Sequence, residues 1–183
     1  MLVGVPKEKS ARERRVALVP EGVKALTRLE CEVAVEAGAG VEAGFADADY
    51  EAAGARIESD AGAVLGADVV VKVSPPETVD GVDEIGRLRK GSYYVGFLRP
   101  LDAPEVAGRL AEQGTSAFAM ELIPRITRAQ SMDALSSQAT VMGYQAVLEA
   151  AASLGKFFPM LVTAAGTISP ARVLVVGAGV AGL

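Results

Sequence analysis

Short apolar runs alternate along the chain with stretches whose apolar residues recur at helical spacing. That alternation is the pattern of an α/β fold built on a parallel sheet. Leu2-Val-Gly-Val5 predicts a first strand, and Glu21 to Leu29 a helix with Val23, Leu26 and Leu29 on one side. Glu32 to Glu36 reads as the next strand, ending at Gly38 and Gly40, and Asp47 to Ala53 as a short helix stopped by Gly54. Ala55-Arg-Ile57 predicts a third strand, and Asp68 to Val73 a buried one closed by Ser74-Pro-Pro76. Val82 to Leu88 is helical, Tyr93 to Leu98 a strand, Ala103 to Gln113 a helix ended by Gly114, and Thr115 to Leu122 a sixth strand. An Ala-rich segment from Asp133 to Leu154 predicts a long helix, with Gly155 as its stop. Ala171-Arg-Val-Leu-Val-Val176 then reads as one more buried strand. The pattern divides the chain into a Rossmann-like α/β domain over 1–130, a linking helix over 131–155, and the opening of a second Rossmann domain over 156–183. No internal repeat or low-complexity tract interrupts it.

Composition narrows the chemistry. A formal charge of −5 argues against nucleic acid as a partner, because phosphate neutralisation needs a basic surface. No uninterrupted apolar run reaches the roughly 20 residues of a membrane span, and Met1 to Lys9 lacks the shape of a signal peptide. Cys31 stands alone, so no internal disulfide forms, which suits a reducing cytoplasm. With no His and one Cys, a metal site of the zinc type has no ligand set, and a Ser-His-Asp triad is excluded.

Two stretches carry more chemistry than their structural duties need. Between the sixth strand and the long helix, Arg125, Arg128, Gln130, Asp133 and several hydroxyls crowd a connection with no turn glycine. Arg125 offers a planar fork of donors and Gln130 a neutral donor–acceptor amide. Asp133 accepts, with Ser136 three residues on. The set suits a carboxamide and ribose hydroxyls better than a naked phosphate. Asp133 is the only possible base in it, and its expected role is to orient Gln130 or a ribose. Ser131 or Asp133 as a cap on the helix that follows is the plainer reading, compatible with the first. The second stretch, Gly177-Ala178-Gly179-Val180-Ala181-Gly182, fits the G-x-G-x-x-G pattern directly after an expected strand. Gly177 would permit the tight turn, Gly179 the close approach of backbone to a pyrophosphate, and Gly182 close packing. N–H groups around Val180 would face the phosphates, though a plain glycine turn is the alternative.

Arg125-Ile126-Thr127-Arg128-Ala-Gln130-Ser-Met-Asp133-Ala-Leu-Ser136-Ser-Gln-Ala139 closely resembles the signature loop of the NAD(H)-binding component (domain I, alpha subunit) of proton-translocating NAD(P) transhydrogenase. The resemblance implies that Arg125, Gln130 and Asp133 lie beside a nicotinamide ring where hydride is passed, with Ser136 as a further contact. Lys7 to Val23, Glu36 to Asp47 and Lys72 resemble stretches that this family shares with alanine dehydrogenase. In the latter, the residues matching Arg15 and Lys72 hold the amino-acid substrate. Here a solvated loop charge at Arg15 and a strand-end lysine at Lys72 reaching water are the expected roles. Alanine dehydrogenase also places a catalytic His after the strand matching Tyr93 to Leu98, where this chain reads Gly96-Phe-Leu-Arg-Pro100. Reductive amination needs a group that exchanges protons near neutral pH, whereas direct hydride transfer between two nicotinamides does not.

The resemblance therefore implies an N-terminal fragment of the transhydrogenase component, binding NAD(H) and passing hydride from NADH to NADP+ held by a partner domain. It also implies a homodimer, an NADP(H)-binding partner and a proton-translocating membrane component. Its location would be the cytoplasm, peripheral to the inner membrane through those partners. An acidic ribose-binding residue would lie beyond Leu183, and the 183 residues alone should bind NADH poorly. An NAD-dependent amino-acid dehydrogenase and a non-catalytic nicotinamide-nucleotide-binding module are the alternatives.

Overall fold

The structure, a computed structural model, describes residues 1–10, 12–79 and 81–183; Ala11, inside the Lys7–Val23 stretch, and Asp80 lie outside the described residues. The chain divides into two compact units, Met1–Ile123 and Pro124–Leu183.

In the first unit, β1 (Leu2–Val5), β2 (Glu32–Glu36), β3 (Arg56–Glu58), β4 (Val69–Val71), β7 (Tyr93–Gly96) and β8 (Ser116–Ala119) form one sheet in the order β3-β2-β1-β4-β7-β8. Every pairing in it is parallel, with Val3 opposite both Val33 and Val69. A parallel strand requires a crossover, and the helices supply it: α1 (Pro20–Thr27), α2 (Asp47–Ala52), α3 (Ala61–Leu65), α4 (Glu84–Arg87) and α5 (Pro104–Gln113). Between β4 and β7 lies a small hairpin of β5 (Thr78–Val79) and β6 (Val82–Asp83). The sequence pattern does not predict α3 or this hairpin. α3 is five residues long and the hairpin strands two each, too short for a period to register. Val82 and Asp83, expected to be helical, pair as strand before α4 begins.

Alternation along the strands splits the core in two. Val3, Val5, Val33 and Val35 face one side, against Val23 of α1 and Tyr50 and Ala53 at α2. Val70 and Tyr94 face the other, with Leu65, Ile85 and Leu110 from α3, α4 and α5. Each fully buried valine contributes roughly 1.5–3 kcal/mol, an upper figure because the unfolded chain is not fully extended. Glycine fixes the closest approach of helix to sheet: a Cβ on Gly4 would lie 2.1 Å from the Val64 carbonyl oxygen. α3 can sit on β1 only because nothing projects there.

Strand order reverses between β1 and β4, so the carboxyl ends of those strands frame the crevice where open α/β sheets place ligands. The second unit consists of a connection with a turn of 3₁₀ character, the helix α6 (Ala134–Ser153), and a hairpin of β9 (Leu161–Thr163) and β10 (Gly166–Ile168). The expected strand over 171–176 does not form. Val173, Leu174, Val175 and Val176 are exposed and run beside no other strand among the described residues. Without a neighbour, strand N–H and C=O groups have no ladder to join.

Candidate functional site

The connection between β8 and α6 is built by local hydrogen bonds. Ile126 N–H donates to the Pro124 carbonyl and Ala129 N–H to that of Ile126, each 2.9 Å, and Asp133 N–H to that of Gln130 at 3.2 Å. These bonds wind Thr127–Met132 into a 3₁₀ segment whose inward residue is the buried Ala129. Arg125, Ile126, Thr127, Arg128 and Gln130 are all exposed. Among the described residues no hydrogen bond ties the side chain of Arg125, Arg128 or Gln130.

Asp133 is fixed. It caps α6, with Oδ1 accepting from the Ser136 N–H at 2.9 Å and Oδ2 from the Ser136 hydroxyl at 2.7 Å. Its carbonyl accepts from the Ser137 N–H and hydroxyl as well. The Ser136 backbone and hydroxyl bonds, helped by the Arg125 charge and opposed by partial desolvation, hold the Asp133 carboxyl below its ordinary range. It is an anion at neutral pH and no proton donor. Its oxygens are engaged by Ser136 and not by Gln130, the partner expected from sequence. That leaves Arg125, Arg128 and Gln130 as exposed side chains with no hydrogen bond among the described residues.

The glycine turn has the features a phosphate cradle needs. Gly177 adopts φ +108°, a conformation side chains disfavour. A Cβ on Gly182 would lie 2.2 Å from the Gly177 carbonyl oxygen, so the turn closes on itself only without one. A Cβ on Gly179 would meet nothing within 4 Å, which leaves its backbone approachable. The Gly179 carbonyl accepts from the N–H groups of Gly182 and Leu183, both at 3.0 Å, starting a helical turn. The N–H groups of Val180 and Ala181, following Ala178 and Gly179, have no partner among the described residues. Donors of this kind fit a diphosphate.

The switch point of the first unit is filled by its own side chains. Lys72 is buried, its ammonium 2.7 Å from Glu84 Oε2 and 3.8 Å from Glu8 Oε2. Glu8 also accepts from the N–H groups of Val73 and Ser74, and burial pushes its carboxyl up despite the lysine. Lys72 therefore does not reach water, contrary to expectation, because Glu84 supplies a counter-charge inside. The hairpin β5–β6 brings Glu84 back, and its Oε2 also accepts from the Glu77 N–H at 2.8 Å. Sequence reasoning misses Glu84, since a lone glutamate in a helix-like stretch looks solvated. Arg15 is half-exposed and paired with Glu13 at 2.6 Å. Among the described residues no group of potential ligands could hold a metal ion, and no helix is long and apolar enough to cross a membrane.

Residues 4–142 match the family described as alanine dehydrogenase/PNT, N-terminal domain, and residues 146–183 match alanine dehydrogenase/PNT, C-terminal domain. An NAD(P) transhydrogenase subunit alpha polypeptide of Rhodospirillum rubrum is 49% identical over 185 residues, covering 100% of this chain and 48% of that protein. The crystal structure of transhydrogenase from Sinorhizobium meliloti superimposes with a TM-score of 0.92 at 45% identity, covering 100% of this chain and 53% of that one. Alanine dehydrogenase of Halomonas elongata is more distant, 36% identical over 186 residues and covering 100% of this chain and 48% of that protein. The chain spans half the length, or less, of the curated relatives it matches.

Proposed function

The chain belongs to the alanine dehydrogenase/PNT family, and from that premise we propose that it is the NAD(H)-binding part of a proton-translocating transhydrogenase. The reaction is hydride transfer from NADH to NADP+ on a partner component, coupled to proton movement through a membrane component. The observation that carries this reading is the loop before α6. Its two best ligand-binding side chains, Arg125 and Gln130, are exposed and free of hydrogen bonds among the described residues, while its one carboxylate is locked by Ser136. Such a site is poor at moving protons and suited to holding a carboxamide.

The nicotinamide supplies the hydride chemistry when bound. The chain's residues supply position. Arg125 and Gln130 grip and orient the carboxamide, and Asp133 with Ser136 keeps the loop at a fixed height on α6. Ile126, Thr127 and Arg128 complete its exposed face. Residues Gly177 to Gly182 take the diphosphate on backbone N–H groups. Alignment of two rings in near-attack geometry accounts for most of what such a catalyst must do, since no proton leaves the reacting carbons.

Partners follow from this reading: a second copy of the component, an NADP(H)-binding component, and a membrane component that holds the assembly at the cytoplasmic face of the inner membrane. Amino-acid dehydrogenation is disfavoured by the buried pairing of Lys72 and by the absence of histidine from these 183 residues. The test uses the full-length protein with its NADP(H)-binding partner and an NADP analogue as acceptor. Gln130→Ala should slow hydride transfer at saturating NADH by roughly ten- to a hundredfold, the cost of about 1 Å of misalignment, and change NADH affinity little. An effect confined to affinity would reject the aligning role. NADH oxidation on adding pyruvate and ammonium would reject the transhydrogenase reading itself.

A further inference from the structure

α6 is an Ala-rich helix of 20 residues with a single glycine, Gly143, near its middle. Glycine there costs about 1 kcal/mol relative to alanine, and no turn or positive φ calls for it. The structure supplies another reason. A Cβ on Gly143 would lie 2.4 Å from the carbonyl oxygen of Ala181, 3.1 Å from its carbonyl carbon and 3.2 Å from its Cα. All three are backbone atoms, so no side chain can swing aside. Gly108, in α5, is a useful contrast: a Cβ there would meet nothing within 4 Å.

We infer that Gly143 is a positioning residue for the dinucleotide: its bare Cα seats the backbone of the Gly177–Gly182 turn directly on α6. The inference rests on the reading of that turn as a diphosphate site. The Ala181 carbonyl lies against the helix and the Gly182 N–H is bonded to the Gly179 carbonyl at 3.0 Å, so both ends of the Ala181–Gly182 peptide plane are restrained. The plane fixes the turn whose preceding N–H groups, at Val180 and Ala181, are unpaired among the described residues. The same helix is capped by Asp133, ten residues earlier, which at 1.5 Å per residue is about 15 Å along its axis. One rigid rod thus carries both the nicotinamide loop and the diphosphate turn, and Gly143 sets the second against it.

A methyl at position 143 must push the Ala181 carbonyl back by about 1 Å to reach ordinary contact distance. The experiment compares wild type, Gly143→Ala and Gly108→Ala in the full-length protein, with NADH and ADP-ribose as the binding probes and, for turnover, the NADP(H)-binding partner with an NADP analogue as acceptor. Gly143→Ala should raise the Kd for both nucleotides and the KM for NADH by roughly ten- to a hundredfold, while kcat at saturating NADH stays within about threefold. ADP-ribose has the diphosphate but no nicotinamide, so equal losses place the defect at the turn. Gly108→Ala should bind as wild type does. Amide hydrogen exchange should quicken at Gly182 and remain slow along α6. Unchanged affinities in Gly143→Ala would overturn the inference, and so would loss of protection throughout α6, which would mean a merely structural role. Failure of wild type to bind either nucleotide would instead reject the diphosphate reading beneath it.

Discussion

Replacing Lys72 by methionine removes the ammonium from the buried cluster at the switch point and leaves Glu8 and Glu84 facing each other's charge. At an effective dielectric of about 20, the attraction of the ammonium to Glu84 at 2.7 Å amounts to about 6 kcal/mol, and to Glu8 at 3.8 Å about 4 kcal/mol. Desolvation of three charges offsets most of this in the wild type. Removal of one member is different, because the carboxylates remain buried and uncompensated, a loss of about 3–5 kcal/mol. Protonation relieves it. The Glu8 carboxyl, already pushed up by burial, rises further without the lysine, so folding takes up a proton and stability falls as pH climbs through the folded value. Lys72→Met should therefore lose about 3–5 kcal/mol near pH 8 and clearly less near pH 5.5. Urea unfolding followed by circular dichroism and tyrosine emission measures it, since no tryptophan is present in the 183 residues. Lys72→Met with Glu84→Leu should recover most of the loss. A cost below about 1 kcal/mol near pH 8, or one independent of pH, would refute the account.

Two further outcomes follow from titrating groups. Burial, helped by Asp47 and Asp49, pushes the Tyr50 phenol up to about 12, and its hydroxyl donates to the Leu18 carbonyl at 3.0 Å. A raised folded value stabilises below the unfolded value of about 10 and is lost as pH climbs to about 12. Tyr50→Phe should delete one phenolate absorbance step near 12, and superimposable titration curves would contradict this. Asp133 has the opposite sign: its cap is present above the unfolded carboxylate value and fades as pH falls through the lower folded one. The protection factor of the Ser136 amide, its exchange rate taken relative to the intrinsic rate at the same pH, should thus fall in acid. It should be low already at neutral pH in Asp133→Ala and independent of pH in Asp133→Asn; a wild type whose factor does not fall in acid would count against the cap.

The centre of the sheet is legible in the sequence because β1, β2 and β4 are short valine-rich runs, mostly buried, with glycine or proline close behind. Val3, Val33 and Val70 need no context to be placed inside. The apolar pattern overextends some strand ends, as at Val73 and Phe97–Leu98, because apolar residues continue past the last paired residue, with Val73 and Leu98 still buried. Asp133 is readable both as a cap and as part of a ligand set, and its two bonds to Ser136 are those of the cap. What escapes depends on distance in sequence. Glu84 meets Lys72 only after a hairpin turns the chain, and Gly143 meets Ala181, 38 positions further on. No local period encodes either. The run 171–176 shows the converse, since its composition is that of a strand and its neighbours are what would make it one.

The place of β1 between β2 and β4 bears on how the protein is made. Leu2 N–H donates to Asp68 Oδ2 at 2.7 Å, a bond spanning 66 residues. During synthesis β1 and β2 can pair early, but the other flank of β1 stays open until Val71 has emerged. At about 5–20 residues per second, the interval from Glu36 to Val71 leaves a hydrogen-bonding strand edge bare for roughly two to seven seconds. Sticky nascent chains, rather than an unstable finished sheet, are the hazard this topology creates for the cell.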